Sequence, residues 1–174
     1  MKKRNAMLRA CTTAAAICLL AANGAYAASD TSILNPSGLP IPRYVSLKSG
    51  EVNVRVGPGK RYPIRYVYKR QALPVQIIEE FAHWRKIKDF EGANGWVHKG
   101  MLAGVRTAMI MDKPQNLYAR PHVSDQPVMR AEATVIGRLR ACLPDWCLLE
   151  IVQRDGWIRK ADIWGVSREE VFEE

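Results

Sequence analysis

Aromatic and basic side chains are interleaved in the segment KRYPIRYVYKR, residues 60–70. Aromatic rings and cationic groups together can hold an anionic glycan, the carboxylate of a peptide or a phosphate. The segment is therefore the first candidate for a ligand site, and a solvated, charged loop is the alternative. With one residue of the preceding strand, the predicted ligand contacts here are Arg55, Lys60, Arg61, Tyr62, Tyr66 and Tyr68.

Two tryptophans are further candidates for ligand contacts. In a regular strand Trp84 shares a face with Lys86 and lies opposite Ile87, and Trp146 lies opposite Leu149. A partly exposed indole beside basic residues could stack on a sugar face or cap a peptide. The alternative is a rim residue that covers the end of a small barrel.

Two other tryptophans have a different local pattern. Trp96 and Trp157 each follow a glycine and alternate with an apolar residue. This pattern predicts structural tryptophans that pack on neighbouring backbone.

Cys142 and Cys147 bracket the sequence LPDW, in which Pro-Asp favours a turn between two β-rich runs. In an oxidising compartment such a pair is usually a disulfide. Two free thiols or a metal clip are the alternatives, but there is no second ligand pair nearby and the three histidines are scattered. We therefore predict a disulfide and no metal site.

Catalytic motifs are missing from the sequence. No serine, histidine and acidic residue have the spacing of a known motif, and there is no HExxH segment. The sequence predicts a protein that is not an enzyme and needs no cofactor.

The N-terminal residues, 1–27, have the pattern of a cleavable secretory signal peptide. Lys2, Lys3, Arg4 and Arg9 precede an apolar run at residues 11–22, and AYA at residues 25–27 fits a cleavage site. No later stretch approaches the 18 apolar residues of a membrane helix. We expect export to the periplasm or cell envelope, without stable membrane insertion after cleavage.

Cleavage would also change the charge, because it removes four basic and no acidic residues. The formal net charge falls from +9 to +5. A surplus of this size is either ordinary surface charge or an attraction for anionic partners. Nucleic acid is not an expected partner, since export separates the protein from it and no nucleic-acid motif is present.

The rest of the chain repeats itself. NVRVGP at residues 53–58 matches NLYARP at 116–121, Trp84 matches Trp146, and GWV at 95–97 matches GWI at 156–158, at offsets of 61 to 63 residues. Each unit shows short alternating runs that predict about five β-strands. We predict two β-modules, residues 44–107 and 108–166, that pack on each other because each is small. An extended linker at 28–43 precedes them, and an acidic tail at 167–174 follows, either frayed or a brief helical turn.

The segments NVRVGPGKRYP, HWRKI and GWVHKGML together resemble the bacterial SH3-like domain family. The resemblance is specific in the first module and weaker in the second, where YARP replaces the glycine-containing turn. It implies an all-β fold of two tandem small SH3-like barrels, with five or six strands in each. It also implies modules that attach proteins to the cell wall or bind envelope partners without catalysis.

The glycine-rich turn has an expected structural role. Gly57 and Gly59 around Pro58 are predicted to adopt backbone angles that other residues disfavour, which would close a tight loop. In the second module, which lacks this glycine pattern, we expect the loop to take another shape.

Two functions are open at this point. In the first, the modules bind peptidoglycan or its peptide stems. In the second, they form a periplasmic scaffold that binds another envelope protein through the same surfaces.

Overall fold

The computed structural model of the protein describes residues 35–173. The expected signal peptide and most of the expected linker lie outside the described residues. Between residues 35 and 173 the regular structure is almost entirely β, with two single 3₁₀ turns at Lys99–Met101 and Lys160–Asp162. No helix in this part of the chain is long and apolar enough to cross a membrane.

The first module forms one antiparallel sheet in the order β3-β2-β6-β5-β4-β1-β7. Alternating side chains such as Val52, Val54, Ile87 and Val97 are fully buried and build its core, as the period of two predicts. Its strands are β1 Arg43–Leu47, β2 Val52–Arg55, β3 Ile64–Tyr68, β4 Pro74–Phe81, β5 Trp84–Lys88, β6 Asn94–His98 and β7 Leu102–Ala103.

The second module repeats this topology strand for strand, in the order β10-β9-β13-β12-β11-β8-β14. The all-β fold with two tandem modules is thereby confirmed, although each sheet has more strands than the five or six expected. Its strands are β8 Thr107–Ile110, β9 Gln115–Tyr118, β10 Pro127–Ala131, β11 Ile136–Cys142, β12 Trp146–Ile151, β13 Arg154–Arg159 and β14 Ile163–Trp164. An eighth strand, β15 Phe172–Glu173, pairs with β11.

Strand β8 is buried on both faces, because each face packs in a different module. Ala108 and Ile110 belong to the core of the second module, whereas Met109 lies in the core of the first. The hydroxyl of Thr107 donates to the carbonyl of Ala72 in the first module, at 2.7 Å. The two modules therefore contact each other, and the expected boundary between residues 107 and 108 falls inside this shared strand.

The C-terminal tail differs from the expected frayed end or helical turn. The short strand Phe172–Glu173 pairs with β11, and Glu170 forms an ion pair with Arg106. The buried ammonium of Lys160 donates to the carbonyl oxygen of Arg168 at 3.0 Å. The acidic composition suggested a solvated end, but Lys160 and the distant Arg106 hold the tail against the second module.

Candidate functional site

The outer face of the first sheet carries Trp84, as strand alternation predicts. Directly paired residues of neighbouring strands share a face, and Trp84 pairs with His98. The two rings meet edge to face, with centroids 5.6 Å apart. Their neighbours along the strands, Arg85 and Val97, are buried on the opposite face. Trp84 is half-buried and available on the surface.

The loop between β2 and β3 is held closed by Arg55. Its guanidinium Nη1 donates to the carbonyl oxygens of Lys60 and Tyr62, at 3.2 and 2.7 Å. The guanidinium carbon of Arg61 lies 5.2 Å from the centroid of the Tyr62 ring. Arg55 was predicted to contact a ligand, but its Nη1 holds the loop together. Lys60 and Arg61 are the exposed cations of this loop.

Of the two glycines in this loop, Gly57 is required because a side chain packs closely on it, and not because of its backbone angles. Neither Gly57 nor Gly59 has a positive φ, so the expected conformational role is wrong. Instead, the ring of Tyr62 lies on Gly57, where an added Cβ would be 2.6 Å from Cδ1 of the ring. Gly57 and the ring of Tyr62 thus pack as one unit in the loop, next to Pro58.

This contact gives a testable prediction. Gly57→Ala should cost about 1–3 kcal/mol in unfolding free energy, because the methyl group must displace the Tyr62 ring. Gly59→Ala is the matched control, since its Cβ would be 3.4 Å from that ring, an ordinary contact. Urea unfolding of both variants measures the difference. Equal, small losses in the two variants would contradict the packing role of Gly57.

Tyr66 and Tyr68 face the core side and not the loop surface. They pair across the ladder with buried Val54 and Val52. Their hydroxyls are 3.3 Å apart, and the hydroxyl of Tyr68 donates to Oδ2 of Asp89 at 2.7 Å. Burial and these hydrogen bonds raise the pKa of Tyr68 above its ordinary value. The predicted aromatic strip is therefore not one surface, because these two rings brace the interior.

Trp96 and Trp157 were predicted to pack on neighbouring backbone, and the packing of their rings stays a prediction. It is the preceding glycine that faces the neighbouring strand: an added Cβ on Gly95 would be 2.5 Å from Cγ1 of Val54. The tryptophans alternate to the outer face, where both are half-buried. Trp96 lines a shallow cleft of about 350 Å³ together with Pro58.

The second module gathers aromatic and basic side chains on its outer face. Trp157 pairs with Tyr118, and Trp146 pairs with Arg159. The guanidinium carbon of Arg159 lies 5.5 Å from the centroid of Trp146. Tyr118 meets Trp146 edge to face, with centroids 5.9 Å apart. Trp146 therefore contacts an aromatic side chain, Tyr118, and a cationic one, Arg159.

Trp146 and Arg159 together separate two clefts. The larger measures about 510 Å³ and the smaller about 240 Å³, and both residues line each of them. The other lining residues of the larger cleft are Pro144, Asp145, Lys160, Ala161, Val166 and Arg168. Those of the smaller cleft are Gln115, Asn116, Tyr118, Val123 and Asp162.

A disulfide lies next to Trp146, on the buried side of the β11–β12 hairpin. Cys142 and Cys147 face each other across the β11–β12 hairpin and are joined, which confirms the predicted pair. The amide of Leu143 donates to the carbonyl oxygen of Trp146 at 2.7 Å. Within residues 35–173 no group of three or more histidine, cysteine or acidic side chains is placed to hold a metal ion.

The loop of the second module that corresponds to the glycine turn is built differently, as its sequence predicts. Arg120 and Asp125 form two hydrogen bonds, at 2.7 and 2.9 Å. These bonds hold the pKa of Asp125 below its ordinary value. An arginine–aspartate ion pair braces this loop, whereas in the first module an arginine bonds backbone carbonyls and a tyrosine ring packs on a glycine.

Three residues of the Trp146 face were missed at the sequence level. The repeat aligns Tyr118 with the predicted ligand contact Arg55, and strand alternation puts Arg159 on the same face as Trp157, so the sequence contained a signal for these two. Arg168 lies in the tail, outside the repeat, and no sequence signal marked it.

A family model described as the bacterial SH3 domain matches residues 48–104 and again residues 111–165. No curated protein matches the sequence. Among solved structures, the chain is similar to NlpC1 from Trichomonas vaginalis, at 12% identity and a TM-score of 0.34, over 75% of this chain and 48% of that one. It is also similar to NlpC2 from the same organism, at 11% identity and a TM-score of 0.35, over 71% of this chain and 48% of that one. The chain spans about half the length of each.

Proposed function

The chain belongs to the bacterial SH3 domain family, with one copy of the domain in each module, and from this we propose that it is a non-catalytic binding protein of the cell wall. Its ligand is peptidoglycan or the peptide stems of peptidoglycan. It works outside the cytoplasm, which agrees with the disulfide, a bond typical of oxidising compartments, and with the signal-like N-terminal sequence.

The observation that carries this proposal is the outer face of the second module. Trp146 is half-buried between two clefts, with the guanidinium of Arg159 over its ring and Tyr118 at its edge. A rigid indole beside a cation suits sugars and peptides, because the ring provides contact area and the cation provides a charged hydrogen-bond donor. The disulfide next to Trp146 holds this ring in place before a ligand binds, which lowers the entropic cost of binding.

Retention by purified, protein-free sacculi tests the proposal. We expect Trp146→Ala to weaken retention roughly tenfold, since truncation of a central aromatic contact typically costs 1 kcal/mol or more. Trp84→Ala is the matched control, because this indole holds the corresponding position in the first module but lines none of the clefts described here. Its loss should weaken retention less.

Two results would contradict this assignment. An intact protein that sacculi do not retain excludes wall binding and favours the scaffold function, in which the same faces contact another envelope protein. Equal effects of the two substitutions would show that the second module is not the principal site.

A further inference from the structure

The larger cleft beside Trp146 has more positive than negative charge in its lining. Arg159, Lys160 and Arg168 line it together with a single carboxylate, Asp145. Neither Arg159 nor Arg168 forms an ion pair with another side chain among residues 35–173. Lys160 uses its ammonium on the carbonyl oxygens of the tail. The two guanidinium groups are therefore free to bind an anion.

Apolar surfaces surround these cations. Pro144, Ala161 and Val166 line the same cleft, together with the ring of Trp146. A guanidinium presents paired, coplanar N–H donors that match the two oxygens of a carboxylate. The apolar neighbours suit a small aliphatic group next to that carboxylate. Together these features match the last residue of a peptide with a small side chain.

The smaller cleft on the other side of Trp146 has a different character. Its charges balance, because Arg159 and Asp162 are the two ionised residues that line it. The side-chain amide of Gln115 donates to Asp162 at 3.3 Å, and Asn116 and Tyr118 provide further polar groups. This cleft can pair with uncharged amides or hydroxyls of a ligand but offers no site for a second anion.

We infer that the second module binds a peptide by its terminal carboxylate. The carboxylate lies in the larger cleft on Arg159 and Arg168, and the preceding uncharged part crosses Trp146 into the smaller cleft. The assignment of the ligand to a wall peptide rests on the proposed function, whereas the direction in which the ligand lies follows from the charges of the two clefts.

Calorimetric titration of the full mature protein tests the inference, with N-acetyl-Ala-Ala as the probe, prepared with an L and with a D terminal residue. We expect the free acid to bind roughly tenfold or more tightly than the matching C-terminal amide, since a hydrogen bond to a charged group contributes about 1.5–3 kcal/mol. Equal affinities for the acid and the amide would overturn the inference.

Charge variants locate the carboxylate. Arg159→Gln and Arg168→Gln should each remove most of the preference for the acid, and Asp145→Asn should strengthen binding of the acid several-fold. Arg130→Gln is the control, because it makes the same change of charge at an exposed side chain of β10, and Arg130 lines neither cleft. A loss with Arg130→Gln equal to that with Arg159→Gln would indicate only a long-range effect of net charge and would contradict the assigned site.

A second pair of probes identifies the source of the carboxylate. N-acetylmuramic acid carries its carboxylate on a sugar, and N-acetylglucosamine has none. If the sugar acid binds and the peptide acid does not, the peptide assignment is wrong. Sacculi that retain the protein while the acid and amide bind equally would refute this inference and leave wall binding intact. Preference for the acid without retention by sacculi would support the carboxylate site and contradict wall binding.

Discussion

Met109→Ala should destabilise the first module more than the second, although Met109 lies on β8, a strand of the second sheet. Its side chain is 1% exposed and belongs to the core of the first module. Truncation of a buried methionine leaves a cavity and typically costs about 2–5 kcal/mol. We expect faster amide hydrogen exchange in β2 and β6 of the first module.

Ile110→Ala provides the matched control for this prediction. Ile110 is the next residue on the same strand, equally buried, and packs in the core of the second module. Its truncation should speed exchange in β9 and β12 instead, because exchange reports the stability of the local cooperative unit. If both variants accelerate exchange equally in the two modules, the division of β8 between two cores is contradicted.

The shared strand also explains why two such small modules occur together. A unit of about sixty residues buries only a modest fraction of its surface. Met109 fills part of the first core, and Ile136 of β11 packs against that same core. The core of the first module is thus completed by side chains of the second.

Much of this fold could be predicted from the sequence, because buried and exposed side chains alternate along single strands. Val52 and Val54 are buried, Trp84 and Trp146 lie on outer faces, and the repeat at a nearly constant offset reappears as two identical strand orders. These features were predictable because the side-chain period of a strand is two and is fixed by local geometry. The disulfide was predictable for another reason, because the Pro-Asp turn between the two cysteines places them across a hairpin.

Features that depend on pairing between segments distant in the sequence could not be predicted from the sequence. The run IRYVY of β3 has apolar or aromatic residues at both parities, so its own pattern does not say which face is buried. Pairing with β2 decides this, and it turns Tyr66 and Tyr68 toward the core. A one-residue shift of register would have exchanged the faces.

The Trp146 site was only half predictable for a related reason. Trp146 itself followed from strand alternation, but the wall that contains Arg168 is formed by the tail. The tail is fixed by Lys160 and by Arg106, and Arg106 lies about sixty residues before it in the sequence. Local composition described the tail as acidic and solvated, and gave no information about these partners.

Glu80→Gln should cause a second large loss of stability. The Glu80 side chain is fully buried and accepts hydrogen bonds from Arg43 at 2.5 Å and from the hydroxyl of Ser37 at 2.8 Å. Arg85 lies 3.0 Å from the same carboxylate and is itself 7% exposed. Neutralising Glu80 leaves two arginine charges without their partner in the interior, which costs about 3–5 kcal/mol in comparable buried pairs. Urea unfolding at pH 7 measures the loss.

Glu79→Gln is the control, because it removes the same charge one residue away. Glu79 pairs with Lys86 at 2.7 Å, but its side chain is 52% exposed. Exposed ion pairs contribute about 0–1 kcal/mol. Comparable losses in the two variants would show that burial of Glu80 is not the source of the effect.

The loss caused by Glu80→Gln should depend on pH. Burial by itself raises the pKa of Glu80, but the hydrogen bonds from Arg43 and Ser37 and the charge of Arg85 outweigh it and hold the pKa below its ordinary value. A carboxylate with a lowered folded-state pKa stabilises the protein above its unfolded pKa of about 4.3 and loses this contribution as pH falls through the folded value. The difference between wild type and Glu80→Gln should therefore be greatest near neutral pH and shrink below about pH 4, in urea series at pH 7, 5 and 3. A difference that grows toward acid would mean that the protonated form of Glu80 is the stabilising one, and that its arginine partners do not hold it ionised.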